Sequence, residues 1–295
     1  MARASGGESA LHKHLRVLDA FDAQHPFRNL TELAAAANLP ISTVHRLAGE
    51  LTAEGLLERM PDRSYRLGIR LWEYASRTPG ALGLREVARP WLGAVHERVR
   101  QHAQIGVLTG RDVLFLERMS APDAVVNATL IGGRMPAYAS SSGLVLLAFS
   151  NESLLEEVIA HGIRALTPLG IRDATELRAR VRRVRADGHA VTEGFVHPHS
   201  RGIAVPVLDP RGAPYASMSV VVPNDGSPVK PYVELLRWAA LRTAHGLSRV
   251  HNPGHTGHES RRPTALYAGV SQKSLEYFER LGAAGGVPGS NRLGA

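Results

Sequence analysis

Cysteine is absent from the 295 residues, which excludes a disulfide framework, a thiolate nucleophile and a thiolate-held metal, and suits a reducing interior. No apolar run approaches the ~20 residues needed to span a bilayer. The opening "MARASGGESA" lacks the apolar stretch of a signal peptide. The expectation is a soluble, cytoplasmic protein with no membrane contact. No internal repeat is evident either. What remains is a chain that is 44% hydrophobic, long enough for a sizeable core and, by length, for about two domains.

Net charge is +8 with a pI near 10.3, which favours an anionic partner. The excess is uneven. Residues 1–78 carry +1, residues 79–250 carry +5 and residues 251–295 carry +2. If the N-terminal part meets nucleic acid, the placement of individual arginines must do it.

From Ser9 to Asp22, Leu11, Leu15, Leu18 and Phe21 recur at helical spacing and predict a first helix with that stripe inward. "NLTELAAAANLP" predicts a second, with Asn29 and Glu32 set as a capping box and an end before Asn38. Pro40 suits the first turn of a third. There Val44, Leu47, Ala48 and Leu51 share one face while Ser42, His45, Arg46 and Gly49 point the other way. Two helices joined by a turn of about three residues are a helix-turn-helix. "LLERM" and "SYRLG" around Pro61-Asp62-Arg63 predict a β-hairpin wing.

Ile69 to Arg77 reads as a short amphipathic helix punctuated by "TPGALG", and "LREVARPWLGAVHERVRQH" as a long helix with Pro90 a kink or new start. The period then changes. "AQIGVLTGRDVLFLERM" is a hairpin around Thr109-Gly110-Arg111-Asp112, and "DAVVNATLIGGRMPAYASSSGLVLLAF" gives a strand, a Gly/Pro loop and a helix. "NESLLEEVIAHG" and "DATELRARVRRVRADG" are capped helices closed by Gly162 and Gly188. "HAVTEG", "RGIAVPVLD" and "PYASMSVVVP" are strands, with Pro210-Arg211-Gly212 turning the last hairpin. "VKPYVELLRWAALRTAHGLSRV" is a closing helix. The Gly/Pro/His-rich remainder predicts a mostly disordered tail.

A helix in a major groove sets about four side chains on base edges and phosphates. Short hydroxyls in its first turn suit phosphate or base, and an arginine can fork onto guanine. Ser42, Thr43, His45 and Arg46 are the candidates, with Arg59, Arg63 and Arg66 of the wing on backbone phosphate or minor groove. The competing reading is an ordinary helical core with a solvated face, or a protein-interaction adaptor built on the same unit.

These blocks carry a resemblance. "LRVLDAF", "LTELAAAANLPISTVHRLAGELTAEGLLER" and "YRLGIRL" resemble the winged helix-turn-helix of the IclR family of bacterial transcriptional regulators. "GGRMPAYASSSGLVLLA" and "SRGIAVPVLDPRGAPYASMSVVVP" resemble its second half, so the likeness runs from about Leu11 to Val250. The resemblance implies an α+β chain in successive parts. These are a winged helix-turn-helix (9–68), a linker helix (69–80) and a GAF-like effector-binding domain with an antiparallel sheet (81–250); the flexible N-terminus (1–8) and the tail (251–295) lie outside the resemblance. It implies double-stranded operator DNA and a small-molecule effector as partners, with a homodimer or a dimer of dimers as the assembly. The effector site it implies is Asn127, Met135, Ser141, Ser142, Thr192, Ser200, Gly202 and Ser219. Ser141 and Ser142 open a helix whose free amides suit a carboxylate, so a small organic or aromatic acid is expected. The sequence departs from the family in having Thr192 where some relatives are acidic, and Leu144 where a lysine is frequent.

Three rival signals are weaker. His189, His197 and His199 lack the acidic or thiolate company of a metal site. The serine run has no G-x-S-x-G elbow and no spaced histidine–acid pair, so a serine hydrolase is only the alternative. "RARVRRVR" (178–185) reads as the solvated face of a helix with Leu177, Val181 and Val184 inside. The expectation is a regulator, not an enzyme, without cofactor or metal.

Overall fold

The computed structural model describes residues 8–22, 24–77 and 79–251. The flexible N-terminus expected over 1–8 and the tail expected over 251–295 lie, but for Glu8 and His251, outside the described residues.

The chain begins with α1 (Ala10–Asp19), α2 (Leu30–Ala37) and α3 (Ile41–Ala53). Each start has a local cause. Ser9 accepts the His12 amide at 3.1 Å. Asn29 accepts from the Glu32 amide at 3.0 Å while Glu32 accepts from the Asn29 amide at 2.9 Å, closing the capping box in both directions. α2 stops because Asn38 turns left-handed, at φ 49°. The short turn to Pro40 then sets α3 across α2. A wing follows, β1 (Leu57–Arg59) paired antiparallel with β2 (Tyr65–Leu67). Its turn is held by the Asp62 carboxylate, which accepts from the Ser64 amide at 2.9 Å and hydroxyl at 2.6 Å.

Val17, Phe21, Leu33, Val44, Leu47, Leu51, Leu57 and Tyr65 share one core here. Burying a leucine such as Leu47 contributes about 1.5–3 kcal/mol. The stripe expected on α1 is half right. Phe21 is buried, but Leu11 is 69% and Leu15 45% exposed, and Val17 and Ala20 take the inward face instead. Periodicity locates a stripe; it does not say which part of it meets this core.

α4 (Arg70–Ala75) has no buried residue. α4 ends at Ala75, ahead of "TPGALG" as read, but that segment is no long break before the next helix. Instead α5 (Pro79–Val99) starts at its proline, which tolerates a first turn because no amide is needed there, and runs on through Pro90.

The second half is a six-stranded antiparallel sheet. Its strands are β3 (His102–Thr109), β4 (Asp112–Met119), β5 (Arg134–Pro136), β6 (Ala190–Glu193), β7 (Ser200–Leu208) and β8 (Pro214–Pro223), in the order β5-β4-β3-β8-β7-β6. α5 and α9 (Lys230–His251) cover one face, packing on Ile105, Ile203, Val205, Met218 and Val220. α6 (Ser141–Phe149), α7 (Glu152–His161) and α8 (Ala174–Asp187) pack against the other. The strand expected within residues 124–130 is not there. That segment is extended chain whose polar groups bond side chains instead of a neighbouring strand. The basic run on α8 is as expected, Leu177, Val181 and Val184 buried, with Arg178 paired to Glu156 at 2.7 Å.

α6 sits so close to the 3-10 turn Ala137–Ala139 that a Cβ on Gly143 would run into the Ala137 carbonyl. Gly143→Ala should accordingly lower stability by about 1–3 kcal/mol, read as a lower urea midpoint with unchanged slope.

Candidate nucleic-acid interface and ligand cavity

α3 presents two surfaces. Val44, Leu47, Ala48 and Leu51 are buried, while Ser42, His45, Arg46 and Gly49 are exposed and Thr43 is half-buried. A Cβ added to Gly49 would meet nothing within 4 Å, so no other part of the described chain covers that face. Arg46 is not idle there. Its guanidinium holds Glu50 at 2.5 Å, and Glu50 also meets His14 of α1 at 2.7 Å. The hydrogen bond from His14 and then that from Arg46 hold the Glu50 carboxyl below the usual carboxylate range.

The wing arginines are disposed differently from one another. Arg63 stands exposed at the hairpin tip with φ 66°. Arg59 lies over the Tyr65 ring at 5.9 Å. Arg66 is paired across the strands with Glu58 at 2.7 Å, which leaves it the least free of the three.

A second feature lies on the α6 side of the sheet. Gln104, Val126, Asn127, Thr129, Met135, Ser140, Ser141, Thr192, Phe195, His197, Ser200 and Gly202 surround a space of about 40 Å³. Six of the eight residues expected for an effector site are among them: Asn127, Met135, Ser141, Thr192, Ser200 and Gly202. Ser142 and Ser219 are not. Their hydroxyls bond each other at 2.9 Å in the interior, tying α6 to β8. One residue along a helix rotates the side chain by ~100°, and that step takes Ser142 from the cavity to the sheet. Ser140, not Ser141, caps α6 by accepting the Gly143 amide at 3.1 Å.

Sequence reasoning missed Gln104, Thr129, Ser140, Phe195 and His197. For Gln104 the signal existed: Ala103 and Ile105 are core residues of β3, so alternation places Gln104 on the opposite face. No arginine or lysine lines the space. Any negative charge placed in it would rely on hydroxyls, amides, the His197 ring and the α6 start.

Residues 120–130 form the outer wall, pinned by side chains. Gln104 Oε1 accepts from Thr129 Oγ1 at 2.6 Å and from Asn127 Nδ2 at 3.1 Å. Ser200 Oγ donates to the Val126 carbonyl at 2.6 Å. Arg118 donates to the Thr129 carbonyl. Buried His102 lies 2.5 Å from the Val125 carbonyl through Nε2 and 2.8 Å from Ser120 Oγ through Nδ1. A carbonyl can only accept, so Nε2 carries the proton and Nδ1 can accept from the hydroxyl. Burial pushes the His102 pKa down; the Val125 bond opposes this and the charge of Arg118 reinforces it.

Opposite, behind the cavity, Arg201 is buried at 2% exposure. It donates to the Ser227 carbonyl at 2.9 Å and lies 3.9 Å from Glu193 and 3.7 Å from Asp225. Its Nε and Nη2 have no hydrogen-bond partner. The His197 and His199 rings lie 5.6 Å apart and His189 contacts the Asp187 carbonyl; among the described residues no group of three or more His, Asp or Glu is placed to hold a metal ion. Among the described residues no helix is long and apolar enough to cross a membrane.

Comparison with known proteins agrees across both halves. The family described as "Bacterial transcriptional regulator IclR C-terminal" matches residues 78–243, and "IclR helix-turn-helix domain" matches residues 10–61. Among solved structures, an IclR homologue from Microbacterium hydrocarbonoxydans complexed with 4-hydroxybenzoate is 39% identical. That match covers 81% of this chain and 99% of that one, with a TM-score of 0.76. The regulator BhcR of Paracoccus denitrificans is 30% identical over 76% of this chain and 80% of its own. The regulator XynR of Escherichia coli is 26% identical over 81% and 96%.

Burial depresses the His102 pKa in the fold, so the unfolded chain binds the extra proton first. Stability from this residue should be complete above about pH 6.5 and fall as pH drops below it. Urea midpoints taken at pH 8 and pH 5.5 should fall further for the wild type than for His102→Gln.

Proposed function

The chain belongs to the IclR family of bacterial transcriptional regulators, and on that premise we propose how its residues divide the work. It is a ligand-responsive DNA-binding regulator. The observation that carries the reading is the division of α3 into a buried apolar face and an uncovered polar one.

In this reading Ser42, Thr43, His45 and Arg46 meet bases and phosphates in the major groove, and Arg59, Arg63 and Arg66 meet the backbone. The exposed Leu11 and Leu15 of α1, with Trp72 of α4 at 56% exposure, form the contact of a homodimer, so the operator is a near-palindrome with half-sites about one helical turn or a multiple apart. The winged unit spans 9–68, the linker 69–80 and the effector domain 81–250, in the cytoplasm.

The effector is a small aromatic acid. Met135, Phe195, Val196 and Val221 give the cavity apolar walls suited to a ring. Ser140 and Ser141 at the α6 start, with Thr192 and Asn127, offer neutral donors for a carboxylate. The homologue complexed with 4-hydroxybenzoate supports that class. Size decides how binding becomes a signal. A cavity of about 150 Å³ accepts benzene, whereas the space here is about 40 Å³. The acid must therefore displace the wall, and the expanded state differs from the closed one in the effector's affinity, the condition for switching.

Two outcomes test the division. Arg46→Ala should weaken binding to a duplex enriched from a random library by about 1–3 kcal/mol and relax preference at one base pair, in gel shifts at fixed salt. Gly202→Ala places a Cβ 2.7 Å from Ser141 Oγ and 2.8 Å from Thr192 Oγ1. It should weaken 4-hydroxybenzoate binding by calorimetry at least about tenfold while leaving DNA affinity intact.

A further inference from the structure

We propose that Glu50 is a specificity-determining residue of the DNA-reading face, acting by holding Arg46 until a matching base pair competes for it. The inference rests on the reading of α3 above and extends it to a residue of the opposite charge.

An arginine–glutamate pair four residues apart on an exposed helix is ordinarily mobile and weak. This one is not free to swing. Glu50 offers Oε1 to Arg46 at 2.5 Å and Oε2 to His14 at 2.7 Å. His14 lies along α1 with Nδ1 2.7 Å from the Ala10 carbonyl and its side chain only 23% exposed. Carbonyl and carboxylate both only accept, so the ring makes both hydrogen bonds when each nitrogen carries a proton, and a single proton on Nε2 suffices for the bond to Glu50. The carboxylate is thus anchored from a second helix and stays beside Arg46, at 46% exposure against 60% for the arginine. Ser42, Arg46 and Glu50 recur every four residues along one line of α3, beside the bare backbone of Gly49. Whatever approaches Arg46 meets Glu50.

A fixed carboxylate in a major groove discriminates by repulsion. Phosphates are anionic, and the guanine edge offers only the acceptors N7 and O6, which repel a carboxylate as they attract a guanidinium. The one base-edge partner that rewards it in a G·C pair is the cytosine amino group. On a matching step Arg46 leaves Glu50 for guanine and Glu50 accepts from cytosine, so both charges end satisfied. On a non-matching step Arg46 stays paired, no phosphate is neutralised and the carboxylate faces acceptors. Specificity then comes from a penalty on wrong sequences as much as from an attraction to the right one.

The experiment compares full-length wild type, Glu50→Gln, Arg46→Ala and the double variant. Each is titrated against a duplex enriched from a random library by the wild type and against random-sequence duplex, across a salt series. Glu50→Gln should tighten random-duplex binding roughly tenfold, leave enriched-duplex binding within about threefold, and steepen the random-duplex salt slope by about 1, the signature of one further phosphate contact. In the Arg46→Ala background the same substitution still relieves the carboxylate's repulsion, but should tighten random-duplex binding by no more than about threefold and leave the salt slope unchanged, because no arginine is released to a phosphate. An unchanged ratio of enriched to random affinity in Glu50→Gln overturns the proposal. Equal tightening with Arg46 absent also overturns it, since that is bulk charge repulsion without a clamp. If Arg46→Ala leaves enriched-duplex binding unaltered, the reading of α3 fails and this inference with it; if Arg46 matters and Glu50 does not, only this inference fails.

Discussion

The two-residue period of β7 and β8 is the constraint from which the second half of the chain follows. Ile203, Val205, Val207, Ala216, Met218, Val220 and Val222 stand on one side of the sheet; Gly202, Ser217 and Ser219 stand on the other. Each strand has both neighbours, β3 and β7 flanking β8, so register is fixed by hydrogen bonds on two sides. A slip by one residue would send the branched side chains toward α6 and the hydroxyls toward α5 and α9. With the register as it stands, the branched face binds two long helices, and the small hydroxylic face lets α6 come close enough for Ser142 to reach Ser219. The cavity is what remains where that approach is incomplete, between Ser141, Thr192 and Gly202.

The N-terminal half works at a smaller scale. Its core is shared by three short helices and a two-stranded wing, too little surface for generous burial, and caps at Ser9 and Asn29 add what packing alone does not. Because Val44, Leu47, Ala48 and Leu51 of α3 are spent on this core, while Ile41 at its start stays 51% exposed, the opposite side of that helix has no internal task. An uncovered polar face on a helix locked along its other side is what a groove-reading element requires: rigid in position, with side chains free to exchange partners.

How much of this the sequence discloses depends on whether the cause is local. Helix ends were legible at Asn29 with Glu32, Asn151 with Gly162, and Asp173 with Gly188, because caps are made by residues three or four apart. The hairpins and the buried face of α3 were legible for the same reason. What failed depended on distant partners. Leu11 and Leu15 continue a helical stripe, but α1 outruns the core it packs on. Val125, Val126 and Thr129 have strand composition, yet their backbone is claimed by the side chains of Gln101, His102 and Ser200 and, at Thr129, of Asn127 and Arg118. Ser142 differs from Ser141 by one step of helix rotation, which only the placement of α6 over β8 decides. The site residues came chiefly from resemblance to a family, and alternation alone would have added Gln104.

Arg201 gives the cavity an asymmetry. Its guanidinium, carried by β7 and buried at 2% exposure, is gripped by groups from β6 and the approach to α9, and two of its nitrogens already lack hydrogen-bond partners. Separating those elements would strand a buried cation further, at severe cost. The sheet side of the space therefore behaves as one stiff plate. The opposing side hangs on individual hydrogen bonds, one from the Arg118 guanidinium and the rest from Gln101, His102, Gln104 and Ser200, the neutral ones contributing only about 0.5–1.5 kcal/mol each. Were the proposed acid to enlarge the space, the loop-built side would yield before the sheet side, so the direction of widening is set by where the weaker bonds lie.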